Sequence, residues 1–310
     1  FMNFDKKKAT RESYGEALVE LGKKNGNVVV FDADLSGATK TNGFAKEFKD
    51  RFFNIGIAEQ DMVATAAGIS TCGKIPYASS FAVFLTGRAY DQVRNSICYP
   101  NLNVKLCGTH AGVTVGEDGA THQMLEDVSL MRGLPNMRVF CPADDVETRW
   151  VIEEISKIDG PCYVRLGRSK VPTIFDENET FEIGKAKQIG DGIDATIFAS
   201  GVTVAESIIA MEKLKEEGIN VRVVDICSIK PIDKEMIIKC AKETKKLISV
   251  EDHSVIGGIG TAIADVLTEE YPTKLIKMGV EDVFGKSGKA EELIKYFNLD
   301  SESIIKKVKE

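Results

Sequence analysis

The sequence predicts an α/β protein of two domains, each a mostly parallel sheet flanked by helices, and three observations predict it. The chain is 310 residues long, beyond the size at which one apolar core usually keeps growing. Short continuous apolar runs alternate with segments whose apolar residues recur at helical spacing, the pattern of buried parallel strands joined by covering helices. From about Gly167 to Asp194 that alternation stops and the chain turns polar (RSKVPTIFDENETFEIGKAKQIGDG), as a connection between domains does.

In chain order, residues 10–24 carry Tyr14, Ala17, Leu18 and Leu21 at helical spacing and lead into the apolar run VVVF, which closes on Asp32 and Asp34. Strand-like runs follow at 75–84, 104–107, 138–141 and 162–166, separated by helical segments near 60–70, 87–98 and 145–157. They form a first domain over residues 2–170, followed by a linker over 171–190 that includes an edge strand. The second, smaller domain, 191–310, repeats the alternation: ATIFAS, a helix over 203–217, VRVVDI, a helix over 233–245, LISVED, a helix over 259–270, KLIKMGV, and helices from 290 onward.

Composition narrows the function classes. A chain 43% hydrophobic and 28% charged is an ordinary folded protein. Its net charge of -7, with both signs interspersed, argues against nucleic acid or an anionic membrane surface as the main partner. Any small anion must be held by local cations. The seven cysteines form no CxxC pair and sit mostly in apolar runs, as buried reduced thiols do. No apolar run reaches the roughly 18 residues of a membrane span, and no signal-peptide core opens the chain, so a cytoplasmic location is expected.

Ligands of open parallel sheets gather at the carboxyl ends of the strands, and three loops there are unusual: DADLSGAT (32–39), NIGIAEQDM (54–62) and GTHAGVTVGEDGATHQ (108–123). The third holds two of the three histidines, His110 and His122, with Glu117 and Asp118 between them. Taken alone, Glu59 reads as a solvated first-turn acid favoured by the helix dipole. Asp32 and Asp34 form a bare DxD with no clustered histidine, which reads as a loop cap and a site wall and not as a metal site. FGKSGKAEEL lacks phosphate-loop spacing and reads as a turn opening a helix. GGIG at 257–260 reads as a strand-to-helix turn, and His253 in EDH as structural.

These loops, in this order and spacing, resemble the C-terminal half of transketolase from about Arg11 to the end of the chain. GIAEQ resembles the segment whose glutamate meets the aminopyrimidine of thiamine diphosphate, THAGVTVGEDGATHQ the substrate-channel loop, and EDHSVIGGIG the start of the terminal domain. The resemblance implies that Glu59 activates the cofactor, with Ile57 beside it. An acid against the pyrimidine N1′ favours the 4′-imino tautomer, which removes the thiazolium C2 proton. Phe81 and Phe84 would stack on the pyrimidine and exclude water, and Asp34 and Leu35 would border the thiazolium. His110, Asp118 and His122 would contact the sugar hydroxyls and the carbonyl under attack. Arg11 and Arg168 would bind the substrate phosphate. Two positions depart from the family: Gly87 stands where long transketolases carry a further aromatic, and Ala38 where they carry a phosphate-binding serine.

The resemblance further implies transfer of a two-carbon ketol unit from a ketose phosphate to an aldose phosphate, by way of the thiamine diphosphate ylide. The resemblance covers no diphosphate-binding domain with its magnesium motif; the GDG at 190–192 falls at the end of the polar stretch between the two domains. Mg²⁺ and the diphosphate ligands are therefore expected from a separate N-terminal transketolase subunit, in an α₂β₂ assembly. Alternatives are a 1-deoxyxylulose-5-phosphate synthase-like enzyme, which shares the GIAEQ-type and FLTGRAYDQV-like segments, and a 2-oxoacid dehydrogenase beta subunit, for which a GHYHSQ-like loop is expected and absent. Outside enzymes, the alternative is a non-catalytic binding module.

Overall fold

A computed structural model of the chain describes residues 3–310, and the expected domain start at Met2 lies outside them. The strands, in chain order, are β1 (Asn3–Ala9), β2 (Val28–Asp32), β3 (Phe52–Asn54), β4 (Ile75–Phe81), β5 (Lys105–Thr109), β6 (Arg138–Phe140), β7 (Cys162–Arg165), β8 (Lys170–Thr173), β9 (Lys187–Ile189), β10 (Ala195–Ala199), β11 (Val221–Asp225), β12 (Ser228–Lys230), β13 (Leu247–Ser254) and β14 (Leu275–Val280). A seven-stranded sheet runs β12-β6-β7-β5-β4-β2-β3, parallel except for β12. A five-stranded sheet runs β14-β13-β10-β11-β9, parallel except for β9. The two-domain parallel α/β architecture expected from the sequence is therefore the one observed.

Alternation within β2 shows how the first sheet is covered on both sides. Val28 and Val30 join an apolar cluster with Tyr14, Leu18 and Leu21 of the helix Thr10–Lys24 and with Ile152 and Ile155 of the helix Asp145–Ile155. Val29 and Phe31 face the other way, into a cluster with Met62, Val63 and Ala66 of the helix Glu59–Ser70. That second cluster continues through Val139 and Cys141 to Phe198 and Val224 of the second sheet and to Ile226 just beyond β11. The two sheets thus share one continuous apolar region.

Three differences from the sequence expectations matter. The run expected to be a strand over 75–84 stops at Phe81, and Val83–Arg88 winds as π-helical turns in which Ala89 N–H reaches the Phe84 carbonyl, five residues back, at 3.2 Å. Such wide turns recur at functional sites, and this one moves Phe84 from a strand to a helical face. The stretch expected as a linker with one edge strand holds two strand segments: β8 pairs antiparallel with β1, and β9 forms an edge of the second sheet. Finally, the three-residue β12 leaves the second half of the chain to close an edge of the first sheet. Elsewhere, FGKSGKAEEL does open a helix, Ala290–Tyr296, and GGIG leads into the helix Ile259–Glu270. All seven cysteines are free, and all but Cys72 are buried. Among the described residues no helix is long and apolar enough to cross a membrane.

Candidate active site

Parallel strands deliver their carboxyl ends to one edge of the sheet, and cross-strand register then decides which side chains are neighbours. Asp32 lies level with Asn54 of β3 and Ser79 of β4, and Phe81 level with Thr109 of β5. The residues that follow form the three loops singled out in the sequence.

In the first loop Asp32 is buried and acts as the cap. It accepts from Leu35 N–H at 2.6 Å and from the Thr39 and Thr41 hydroxyls at 2.7 and 2.9 Å. Asp34 follows with a left-handed φ of 63°. Its N–H donates to Asn54 Oδ1 at 3.0 Å, and Asn54 Nδ2 donates back to Asp34 Oδ1 at 3.0 Å. The same Asn54 Oδ1 accepts from Gly56 N–H at 3.0 Å. One asparagine therefore laces the loop bearing Asp34 and Leu35 to the loop bearing Ile57 and Glu59. Asp34 is exposed, Leu35 half-buried, and Ile57 is 78% exposed at the rim.

Glu59 opens its helix but is only 2% exposed, so it is no solvated first-turn acid. A buried carboxylate needs a partner, and Arg88 supplies one: its Nη1 donates to Oε2 at 2.8 Å. The Arg88 guanidinium also lies 4.5 Å from the Phe84 ring centroid, a cation–π contact. Phe84 is nearly parallel to Phe81, with centroids 6.0 Å apart, and Phe81 stacks on His110 at 3.8 Å. His122 meets both phenylalanines edge-on, at 6.2 and 5.5 Å. Glu59, Arg88, Phe84, Phe81, His110 and His122 thus form one unbroken chain of contacts.

His110 has a left-handed φ of 58°. Arg11 Nη1 lies 3.1 Å from its Nε2, and because a guanidinium only donates, Nε2 accepts. The proton then sits on Nδ1 and is donated to Thr109 Oγ1 at 2.8 Å. Burial, then the charges of Arg11 and Arg168, then His122 and Lys40, pull the imidazole down to about 3, so it is neutral near pH 7. Arg11 Nη1 also donates to the Ala38 carbonyl at 2.9 Å. The two arginines come together because Thr10 Oγ1 accepts from Gly167 N–H at 2.7 Å, next to each of them in the chain. Arg168 Nη1 donates to the Val115 carbonyl and approaches Glu117 at 3.3 Å and Asp118 at 3.8 Å. Neither arginine is a plain surface cation; each braces the histidine loop.

Residues 6–173 match the transketolase pyrimidine binding domain and residues 184–304 the transketolase C-terminal domain. The chain is 53% identical over 306 residues to a protein from Methanocaldococcus jannaschii assigned as a transketolase C-terminal section, a match covering 98% of this chain and 96% of that one. The chain belongs to the transketolase family. A solved split-gene transketolase, an inactive β4 tetramer, superimposes with a TM-score of 0.89 at 50% identity over 97% of each chain. Rat transketolase is 40% identical over 305 residues, covering 97% of this chain but 48% of that enzyme. The present chain therefore corresponds to the C-terminal section of transketolase and spans about half the length of the rat enzyme.

Viewed as a transketolase section, the molecule adds residues that the sequence did not single out. Arg88 pairs with Glu59, Asn54 joins two loops, and Gln123 Nε2 donates to Lys286 O at 2.8 Å, linking the histidine loop to the second domain. None carries a signal in one sequence, because each acts through a partner brought close only by folding. His253 is buried, its Nδ1 2.7 Å from the Ser254 carbonyl. Gly87 is exposed, and a side chain built there would first meet Met124 at 4.0 Å.

Proposed function

We propose that this chain is the C-terminal subunit of a two-chain transketolase, that it contributes the pyrimidine-facing wall of a thiamine diphosphate site, and that it moves a two-carbon ketol unit from a ketose phosphate to an aldose phosphate. The observation that carries this is the buried Glu59 carboxylate at the head of a contact chain running through two phenylalanines to two histidines. The donor set fits the pyrimidine half of the cofactor, a flat, weakly basic ring. It offers one desolvated acid, the half-exposed Phe84 ring, and an apolar rim at Ile57.

Thiamine diphosphate, when bound, supplies the carbanion-stabilising centre that protein side chains lack. The chain's own residues do the rest. Glu59 holds a proton against the pyrimidine N1′, and burial strengthens that interaction because little water competes for the carboxylate. Phe84, backed by Phe81, and Ile57 exclude water, with Asp34 and Leu35 on the adjoining loop. His110 is neutral and fixed in one tautomer. Its Nε2 is an acceptor, so with Asp118 it serves the sugar hydroxyls, and donation to the reacting carbonyl falls to His122. Arg11 and Arg168 place two cations beside that loop for the phosphate.

The N-terminal subunit provides Mg²⁺ and the diphosphate ligands, and two such pairs assemble as α₂β₂ in the cytoplasm. Without its partner the chain associates with itself in an inactive form, as the split-gene relative does. The test is to mix the chain with its N-terminal subunit, Mg²⁺ and thiamine diphosphate and assay xylulose 5-phosphate with ribose 5-phosphate. The mixture should turn over and the isolated chain should not. Glu59→Gln should assemble yet slow thiazolium C2 proton exchange by at least about 10²-fold, the lower end of general acid–base effects. Equal turnover without the partner, or parental C2 exchange in the variant, overturns the assignment.

A further inference from the structure

The histidine loop is held from outside its own domain. Its neck is closed where Ala111 bridges to Met124 and Gly112 N–H donates to the Met124 carbonyl at 2.9 Å. Into that neck the second domain inserts Asp252, from β13, only 2% exposed. Its Oδ1 accepts from Val113 N–H at 2.8 Å, and its Oδ2 accepts from the Thr114 hydroxyl at 2.9 Å and Thr114 N–H at 3.4 Å. Gly112 makes room for this: its φ is +79°, and a Cβ there would lie 2.1 Å from Asp252 Oδ2. The backbone carbonyl of Asp252 accepts from Arg165 Nη2 at 2.7 Å, and Arg165 is itself paired with buried Asp127 at 2.9 Å. Two further bonds from the second domain reach the far side of the loop: Gln123 Nε2 to Lys286 O at 2.8 Å and Ser287 Oγ to Glu117 O at 2.5 Å.

From this arrangement we infer that Asp252 is a positioning residue: by binding the Val113 and Thr114 amides it fixes the loop that carries His110, Asp118 and His122, so the second domain sets substrate binding without touching substrate. The inference rests on the loop's substrate role proposed above. Its physical basis is that a buried carboxylate satisfied by two amides and a hydroxyl locks those backbone groups more firmly than neutral partners would. The loop's glycines at positive φ, Gly112, Gly116 and Gly119, make it otherwise permissive. Glu59 sits on a separate loop and is not part of the clamp.

Asp252→Asn tests this, because the amide keeps one acceptor but turns a donor toward the Thr114 N–H. In the isolated chain, hydrogen exchange of peptides covering Val113 and Thr114 should quicken at least tenfold while β4 and β5 keep parental rates. In the assembled enzyme the variant should raise KM for both sugar phosphates about tenfold or more, with thiazolium C2 proton exchange unchanged. Parental exchange at Val113 and Thr114, or C2 exchange falling in step with turnover, overturns the inference. If Asp252→Asn does not fold, Thr114→Val removes only the hydroxyl contact. Roughly threefold faster local exchange then supports the clamp, and unchanged exchange overturns it. Should the assembled parent show no ketol transfer, the proposed function fails while the exchange result still decides whether the clamp exists.

Discussion

A neutral imidazole buried among cations makes His110 a source of acid sensitivity. Its folded-state value is near 3, against an ordinary 6.5. Between those values the unfolded chain binds a proton that the folded chain refuses, so folding loses stability as pH falls from 6.5 toward 3. From pH 7 to pH 5 the loss from this group is about 2 kcal/mol, at 1.36 kcal/mol per unit. His110→Asn keeps a residue type tolerant of the left-handed backbone and removes the titration. Its urea stability should therefore fall about 2 kcal/mol less over that interval than the parent's, and identical pH dependence would show that the imidazole is not held neutral. The site residues were legible to different degrees for a physical reason. His110, Asp118 and His122 share one loop, and Glu59 lies in a short motif, so sequence proximity reveals them. Arg88 reaches Glu59 across 29 residues and Asp252 reaches Val113 across 139, and no periodicity or spacing encodes such encounters.

Elements approach one another closely where glycine allows, and two helical glycines make opposite predictions. Gly15 lies on the helix Thr10–Lys24 where it crosses the turn ending at Lys40; a Cβ there would sit 2.5 Å from the Lys40 carbonyl oxygen and 2.6 Å from its Cβ. Gly68, in the helix Glu59–Ser70, has no other atom within 4 Å of such a Cβ. Alanine gains up to about 1 kcal/mol over glycine in a helix interior, but overpacking against backbone costs about 1–3 kcal/mol. Gly68→Ala should raise the denaturant midpoint by the equivalent of about 0.5–1 kcal/mol, whereas Gly15→Ala should lower it, with m unchanged in both. Stabilisation by Gly15→Ala would mean that the helix does not rest on the turn. The long elements were readable because each is buried by its own pattern: β2 alternates between two apolar clusters, and the helix Thr10–Lys24 presents Tyr14, Leu18 and Leu21 to one of them. The short strands β3, β8, β9 and β12 span three or four residues each. Such lengths are too brief for a period to show, and β12 exists only because the second half of the chain returns to the edge beside β6.

At the scale of the whole molecule the two sheets share apolar core. One apolar cluster runs from Phe31 and Met62 through Cys141 to Phe198 and Ile237, so neither sheet can lose its partner without exposing core. At this seam lies a pair of carboxyls, Glu147 from the first domain and Asp225 from the end of β11, both about 1% exposed. Glu147 accepts from Ala143 N–H at 2.7 Å, while neither Asp225 oxygen receives a hydrogen bond from any N–H or other hydroxyl. Burial raises both, Glu147 to about 7, and Asp144 pushes each the same way; Glu147's charge and hydrogen bond raise Asp225 further, so the proton shared by the pair sits on Asp225 and is donated to Glu147, which lowers Glu147 in turn. The sign is opposite to that of His110. An acid whose folded value is raised lends stability that is fully present below its unfolded value and is lost as pH rises through the folded one. Asp225→Asn places a permanent N–H donor where the shared proton sits, so its stability should not decline as the parent's does. Between pH 5 and pH 7 the variant should gain on the parent by about 1.4 kcal/mol per pH unit, the linkage value for one proton. His110 is common to both proteins and cancels in the difference. The readout is urea unfolding of the two proteins side by side, each expected to unfold in a single transition because the seam is shared core. Parallel stability curves would mean that the two carboxyls hold no proton in common, and a second transition would mean that the domains separate before they unfold.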